Sequence, residues 1–297
     1  MCHLLKLLED PQDSFPSIHV VGTNGKGSTV AFLSSILQEH GLKTGRYTSP
    51  HLVDITERLI INGEKIPEKR WLNAAELVTR LVRNDNFLKN DPPSFFENLT
   101  ATAFCLLKEE AVDIAVVEAG MGGRLDATNL LGRVLLSVIT SIARDHSEYL
   151  GNSLTQIASE KFKVIRENNR ALFWGNAPEL EKVFLRICKE RYTEGVVFNK
   201  QWKIENPSIS LEGCAFDLKG PDFYLQDLRT SMAGHFQMFN SSMAIASFCM
   251  IRDHMPVFHE NSMRKALKTS SWPGRFEVLS KEPPLILDGA HNPAGIQ

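Results

Sequence analysis

Ser17-Ile-His-Val-Val-Gly-Thr-Asn-Gly-Lys-Gly-Ser28 is an apolar strand that runs straight into a glycine-rich turn, a lysine and the start of a helix. The helix pattern continues from about Ser28 to His40 and stops at Gly41, a residue suited to the left-handed step that ends helices. In such a strand–loop–helix unit, backbone N–H groups and the helix N-terminus face an anion, and a lysine adds a point charge. Gly22, Thr23, Asn24, Gly25, Lys26, Gly27 and Ser28 are therefore candidate phosphate ligands. Gly27 separates Lys26 from the hydroxyl of Ser28, so the spacing departs from the commonest phosphate loop. The plainer alternative is a tight turn with a solvated lysine.

On either side of this unit, strands and helices alternate. Thr44–Thr48 reads as a strand, and Leu59–Ile66 as a hairpin turning at Asn62-Gly63. Helices are expected from Pro67 to about Arg83, Phe96 to Glu110, Ser153 to about Glu167, Pro178 to Arg191, Phe239 to Ile251 and Asn261 to Lys268. Apolar strands are expected at Ile114–Val117, Val134–Thr140, Arg170–Trp174, Val196–Asn199 and Leu285–Leu287. The fold class this predicts is α/β: a mainly parallel sheet flanked by helices, with a small antiparallel β portion over 208–228. A domain over 1–270, a connector over 271–284 and the truncated start of a second α/β domain over 285–297 are expected.

The chain has 297 residues, 43% of them hydrophobic and 23% charged, the balance of an ordinary globular protein. A net charge of −2 gives no general attraction to nucleic acid or anionic lipid. No apolar run is long enough to span a bilayer, and the first ten residues lack the pattern of a secretory signal. A cytoplasmic location, no membrane or nucleic-acid partner and a monomeric state are expected. The five cysteines are scattered and form no C-x-x-C pair, so neither a disulfide framework nor a structural zinc site is expected.

Polar residues collect where strands end, the place where open α/β sheets bind ligands. Glu118 follows four apolar residues and precedes Ala-Gly-Met-Gly-Gly123; beside a phosphate loop, such an acid suits Mg²⁺. Ser49 and His146 each follow a strand, and their candidacy rests on that shared location. Lys161 lies three or four residues from Ile157, Ala158, Val164 and Ile165, in the middle of an apolar stripe. Burial there would favour the neutral amine, able to act as a nucleophile or to take up CO₂; snorkelling to the stripe edge is an equal alternative. Asp288, with His291 and Asn292, makes a polar turn after a strand, and local sequence favours a capped helix start.

Taken in order, Gly22–Ser28, Thr48-Ser-Pro-His51, Gly122-Gly-Arg-Leu-Asp-Ala-Thr-Asn129, Asp145-His146, Glu160-Lys161, Trp272-Pro-Gly-Arg275 and Asp288-Gly-Ala-His-Asn-Pro293 resemble the folylpolyglutamate synthase/dihydrofolate synthase family of the Mur ligase superfamily. The resemblance implies an ATP-dependent amide ligase. ATP would phosphorylate a carboxylate of dihydropteroate or a reduced folate, and L-glutamate would attack the acyl phosphate. It also implies that Lys26 and its loop hold the phosphates and that Ser49, Glu118 and His146 ligate Mg²⁺. Lys161 would be a carbamylated lysine at a second Mg²⁺, so that Lys161, Lys26 and His146 form the catalytic set. Asn240, Arg275 and Asp288 would contact the nucleotide, and Ser94, Phe95, Phe96, Leu125, Asp126 and Ala127 the pterin. Two stretches differ from the family's usual sequence: Phe162-Lys-Val-Ile-Arg166 after the lysine, and Ile55-Thr56 before Glu57-Arg58. Two other readings compete: a nucleotide-binding module without catalysis, and a cell-wall ligase of the same superfamily, which Gly27 disfavours.

Overall fold

The computed structural model describes residues 1–145, 148, 151, 153–175 and 177–296. Its central sheet has eight strands in the order β4-β3-β2-β5-β1-β6-β7-β8. These are β1 Ser17–Val21, β2 Thr44–Tyr47, β3 Leu59–Ile61, β4 Glu64–Lys65, β5 Ile114–Glu118, β6 Val134–Ile139, β7 Arg170–Phe173 and β8 Glu194–Val197. From β2 through β8 the pairings are parallel, and the β3–β4 hairpin adds an antiparallel edge. The hairpin turns at Asn62 and Gly63, both with positive φ (51° and 85°), as the Asn-Gly pair requires.

Helices cover both faces, which is why β1 and β5 are buried along their whole length and read as unbroken apolar runs. The described helices are α1 Cys2–Leu7, α2 Lys26–Glu39, α3 Glu68–Asn84, α4 Asn86–Asn90, α5 Phe95–Glu109, α6 Leu154–Lys161, α7 Pro178–Glu190, α8 Phe198–Gln201, α9 Phe236–Met250, α10 Glu260–Thr269 and α11 Pro293–Ile296. One core joins α2, α9 and α10 to alternate residues of β1, β5 and β6. A second lies under α3 and α5 on the other face. A third packs α6 and α7 beside β6 and β7.

The expected antiparallel portion is a three-stranded sheet, with β9 Lys203–Ser210, β10 Gly213–Lys219 and β11 Tyr224–Thr230 in the order β11-β10-β9. Further on, β12 Glu277–Lys281 pairs with β13 Pro284–Leu287 as a hairpin. α6 ends earlier than the pattern predicts. Its α-helical part stops at Lys161, a 3-10 turn covers Phe162–Val164, and Ile165 is extended. The apolar side chains that prolonged the pattern are buried all the same, because the turn keeps Phe162, Val164 and Ile165 in the core. Among the described residues, no helix is long and apolar enough to cross a membrane.

Candidate active site

β1 lies between β5 and β6, where the chain direction of the crossovers reverses, so a crevice opens beyond its carboxyl end. The loop Gly22–Ser28 fills that crevice. Gly25 caps α2 with φ 84°, a conformation side chains resist, and a Cβ there would collide with the buried amide of Asn240. Asn240 is itself held by Gln237, to whose Oε1 it donates at 2.9 Å.

The loop is braced from β6. The Asn24 amide donates to Ser141 Oγ at 3.1 Å, and Thr140 Oγ1 donates to Asn24 O at 2.8 Å. Thr23 Oγ1 accepts from the Ala143 amide at 3.0 Å. Thr140, Ser141 and Ala143 were not singled out from sequence; the available signal was their place at a strand's carboxyl end.

Three charged side chains converge under the loop. Lys26 Nζ donates to Gly22 O at 3.3 Å and Thr23 O at 3.2 Å, and lies 4.0 Å from Glu118 Oε1. Lys161 Nζ donates to the same Gly22 carbonyl at 2.7 Å. Glu118 sits opposite Val20 in the β1–β5 register, and its Oε2 accepts from the Ser49 amide at 3.3 Å. Burial raises the Glu118 pKa, and Lys26 only partly offsets it. Lys161 is 4% exposed, so the chain buries it rather than letting it snorkel. Burial, and then repulsion from Lys26, brings its pKa down to about 7. A large share of this amine is therefore uncharged near neutrality. His146 lies outside the described residues.

The C-terminal segment closes on the same loop. Asn24 and Asn292 exchange side-chain amide hydrogen bonds at 3.1 and 3.0 Å, and Asn292 also donates to Asp145 Oδ2 at 3.3 Å. Asp288 turns the other way: its carboxylate accepts from the amides of Phe276 (2.7 Å) and Ala290 (2.6 Å). Asp288 thus closes the turn ahead of α11, and the cap that opens the helix comes from Asn292. Arg275 is half-buried, close enough to Glu118 to help counter the cost of its buried charge.

The expected pterin residues divide. Leu125 is exposed and lines a cavity of about 580 Å³ with Met121, Gly123, Arg124, Ser159 and Glu160. Asp126 is buried and accepts from the amides of Met121 (2.8 Å) and Thr128 (2.9 Å), capping the turn that carries Ala127. Ser94 caps α5 in a reciprocal box with Glu97, Phe96 stacks on Tyr47 at 6.5 Å, and Phe95 is exposed. Of these six residues only Leu125 lines the cavity. Arg124 joins the cavity wall to α6: its amide donates to Glu160 O at 3.2 Å, one residue before Lys161.

Comparison with known proteins follows the same lines. The Mur ligase middle domain model matches residues 20–248. The chain is 34% identical to the dihydrofolate synthase/folylpolyglutamate synthase of Bacillus subtilis, over 100% of this chain and 69% of that protein. It is 32% identical to the folylpolyglutamate synthase of Lacticaseibacillus casei, over 99% and 69%. An FPGS–AMPPCP–folate complex superposes with a TM-score of 0.94 at 31% identity, covering 99% of this chain and 72% of that one. The folylpolyglutamate synthase of Mycobacterium tuberculosis, complexed with ADP and AMPPCP, gives 0.91 at 32% identity, covering 98% and 67%.

Proposed function

The chain belongs to the folylpolyglutamate synthase/dihydrofolate synthase family of the Mur ligases, homologous to ATP-dependent ligases, and from that premise we propose that it joins L-glutamate to dihydropteroate or to the tail of a reduced folate. The observation that supports this most is the meeting of Lys26 and Lys161 at the Gly22 carbonyl, with Glu118 4.0 Å from Lys26.

Phosphoryl transfer needs a held triphosphate and compensation of the charge that builds up as the bond breaks. The amides at the N-terminus of α2, with Lys26, Asn240 and Arg275, would hold the nucleotide. The carboxylate of the pterin substrate would enter from the cavity beside Leu125 and take the γ-phosphoryl group as ADP leaves; the glutamate amine would then attack the acyl carbon, lose a proton and expel inorganic phosphate. Glu118 and Ser49 offer hard oxygen ligands that fit Mg²⁺, which would supply charge neutralisation to the phosphates. Fit is supported by Glu118 itself, a buried carboxylate whose nearest cation stands 4.0 Å away. Among the described residues no three His, Cys, Asp or Glu side chains cluster as a metal site; by the family resemblance His146 would complete the set of Ser49 and Glu118, and Lys161 would serve a second Mg²⁺. The neutral fraction of Lys161 suits it to carbamylation, which would turn a cation into an oxygen ligand.

Phe162 does not weigh against catalysis. Its ring points into the third core, 5.3 Å from Phe173 and 5.6 Å from Phe184.

The test is mass spectrometry of products from dihydropteroate and from a reduced folate, each incubated with Mg-ATP and L-glutamate. The expected product is a glutamyl adduct, with ADP appearing only when both acceptor and glutamate are present. Lys161→Ala should lower that rate by about 100-fold or more. Nucleotide binding by a folded chain that makes neither adduct would favour the non-catalytic module.

A further inference from the structure

Away from the nucleotide crevice, α2 and β2 enclose a second cavity of about 260 Å³. Ser34, Glu39, Thr44, Arg46, Ser270 and Ser271 contribute to its walls. Arg46 is out of place there. It stands in β2 opposite Ile60 of β3 and Val116 of β5, on the sheet face that α2 covers. Glu39 is no counter-ion for it, being paired with Lys265 at 2.8 Å. Among the described residues the Arg46 side chain makes no ion pair and no hydrogen bond, and its Nε is buried without a partner. The Ser34 hydroxyl, in a residue 6% exposed, is likewise buried and unpartnered. Arg46 is half-buried, and the ring of Trp272 lies over its guanidinium, with the centroid 5.2 Å from the guanidinium carbon.

We propose that this pocket is an anion site in which Arg46 and Ser34 bind the oxyanion group of a small ligand, a phosphate or a carboxylate. A guanidinium presents a planar fork of donors that matches such groups, and burying its Nε unpaired is costly. Burial already draws the Arg46 pKa down to about 10, the response of a cation short of solvation. The cavity is smaller than the roughly 300 Å³ of ordinary small-molecule pockets, so the occupant is a compact anion rather than a nucleotide. Trp272 connects Arg46 to the phosphate loop. Trp272 lies so close to Gly27 that a Cβ there would stand 2.7 Å from its ring. An anion that repositions Arg46 would therefore act on the ring resting against the loop.

The probes are inorganic phosphate and, separately, succinate, titrated calorimetrically into the wild-type chain, Arg46→Leu, Ser34→Ala and Lys26→Ala. Wild type should show saturable binding of one anion at a site that persists in Lys26→Ala, the variant that removes the phosphate loop's own contribution. Its dissociation constant should rise at least about tenfold in Arg46→Leu and by a smaller factor in Ser34→Ala. Phosphate binding alone marks a phosphate site, and succinate binding alone a carboxylate site. Thermal denaturation in anion-free buffer checks folding: Arg46→Leu should melt no lower than wild type, since it loses an unpaired charge. Binding that disappears in Lys26→Ala but survives in Arg46→Leu would assign the anion to the phosphate loop and overturn the proposal. No saturable binding of either probe to wild type would also overturn it.

Discussion

Lys161 and His19 are buried at opposite ends of the same problem: each is a basic group whose charged form the fold disfavours. Lys161 was legible in sequence because its spacing put it among Ile157, Ala158, Val164 and Ile165, and it is indeed buried. What spacing did not decide was between burial and snorkelling, since that depends on the Gly22 carbonyl, 139 residues away, accepting its hydrogen bond. His19 gave no such signal, being one polar residue in an apolar strand. It is fully buried, shares a 2.8 Å hydrogen bond with Thr128 Oγ1, and is driven down to about pKa 3 by burial and by Arg166. The unfolded chain, with an ordinary histidine pKa near 6.5, binds this proton at higher pH than the folded chain does. Stability from the neutral ring is therefore complete above pH 6.5 and is lost progressively as pH falls toward 3. Each pH unit in that window costs up to about 1.4 kcal/mol. Urea denaturation of wild type and His19→Asn at pH 7.5, 6 and 5 measures this. The difference in stability between the two should shrink as pH falls, and a difference independent of pH would contradict it.

At the scale of elements, strand and helix positions were readable because apolar period and glycine placement are local. β1, the Asn62-Gly63 hairpin and the Ser153 cap of α6 all follow from residues within a few positions. The end of α6 was not readable, because Phe162–Val164 keeps its apolar side chains buried through a 3-10 turn as well as through an α-helix. Nor was the docking of α11 beside the loop, which depends on pairing between Asn24 and Asn292. Asn292 also caps α11, since its backbone carbonyl and Oδ1 both accept from Gly295 N–H, at 3.0 and 2.9 Å. Asn292→Ala should free this segment. Hydrogen exchange at the Gly295 amide should quicken about tenfold, the loss of roughly 1–2 kcal/mol of hydrogen bonding. Unchanged exchange would show that the segment is held by something other than this amide pair.

Across the whole molecule, a parallel sheet with β1 between β5 and β6 brings together segments that sequence could only align in order. Order and motif pointed to Lys26, Glu118 and Lys161, and folding brings both lysines to one carbonyl with Glu118 beside Lys26. Ser49 joins them through its amide, while Asp288 faces its own turn and Asn292 meets the loop instead. The residues expected to meet a pterin were less legible because a motif does not show which of its side chains face outward. Leu125 reaches the cavity while Asp126 is used to cap the neighbouring turn. The central claim is that these converging strand ends grip a nucleotide triphosphate through Lys26. Calorimetric titration of Mg-AMPPCP into the wild-type chain and Lys26→Ala tests it most directly. The account predicts one saturable site in wild type, weakened at least about tenfold in the variant; equal affinity in both proteins, or no binding to wild type, would contradict it.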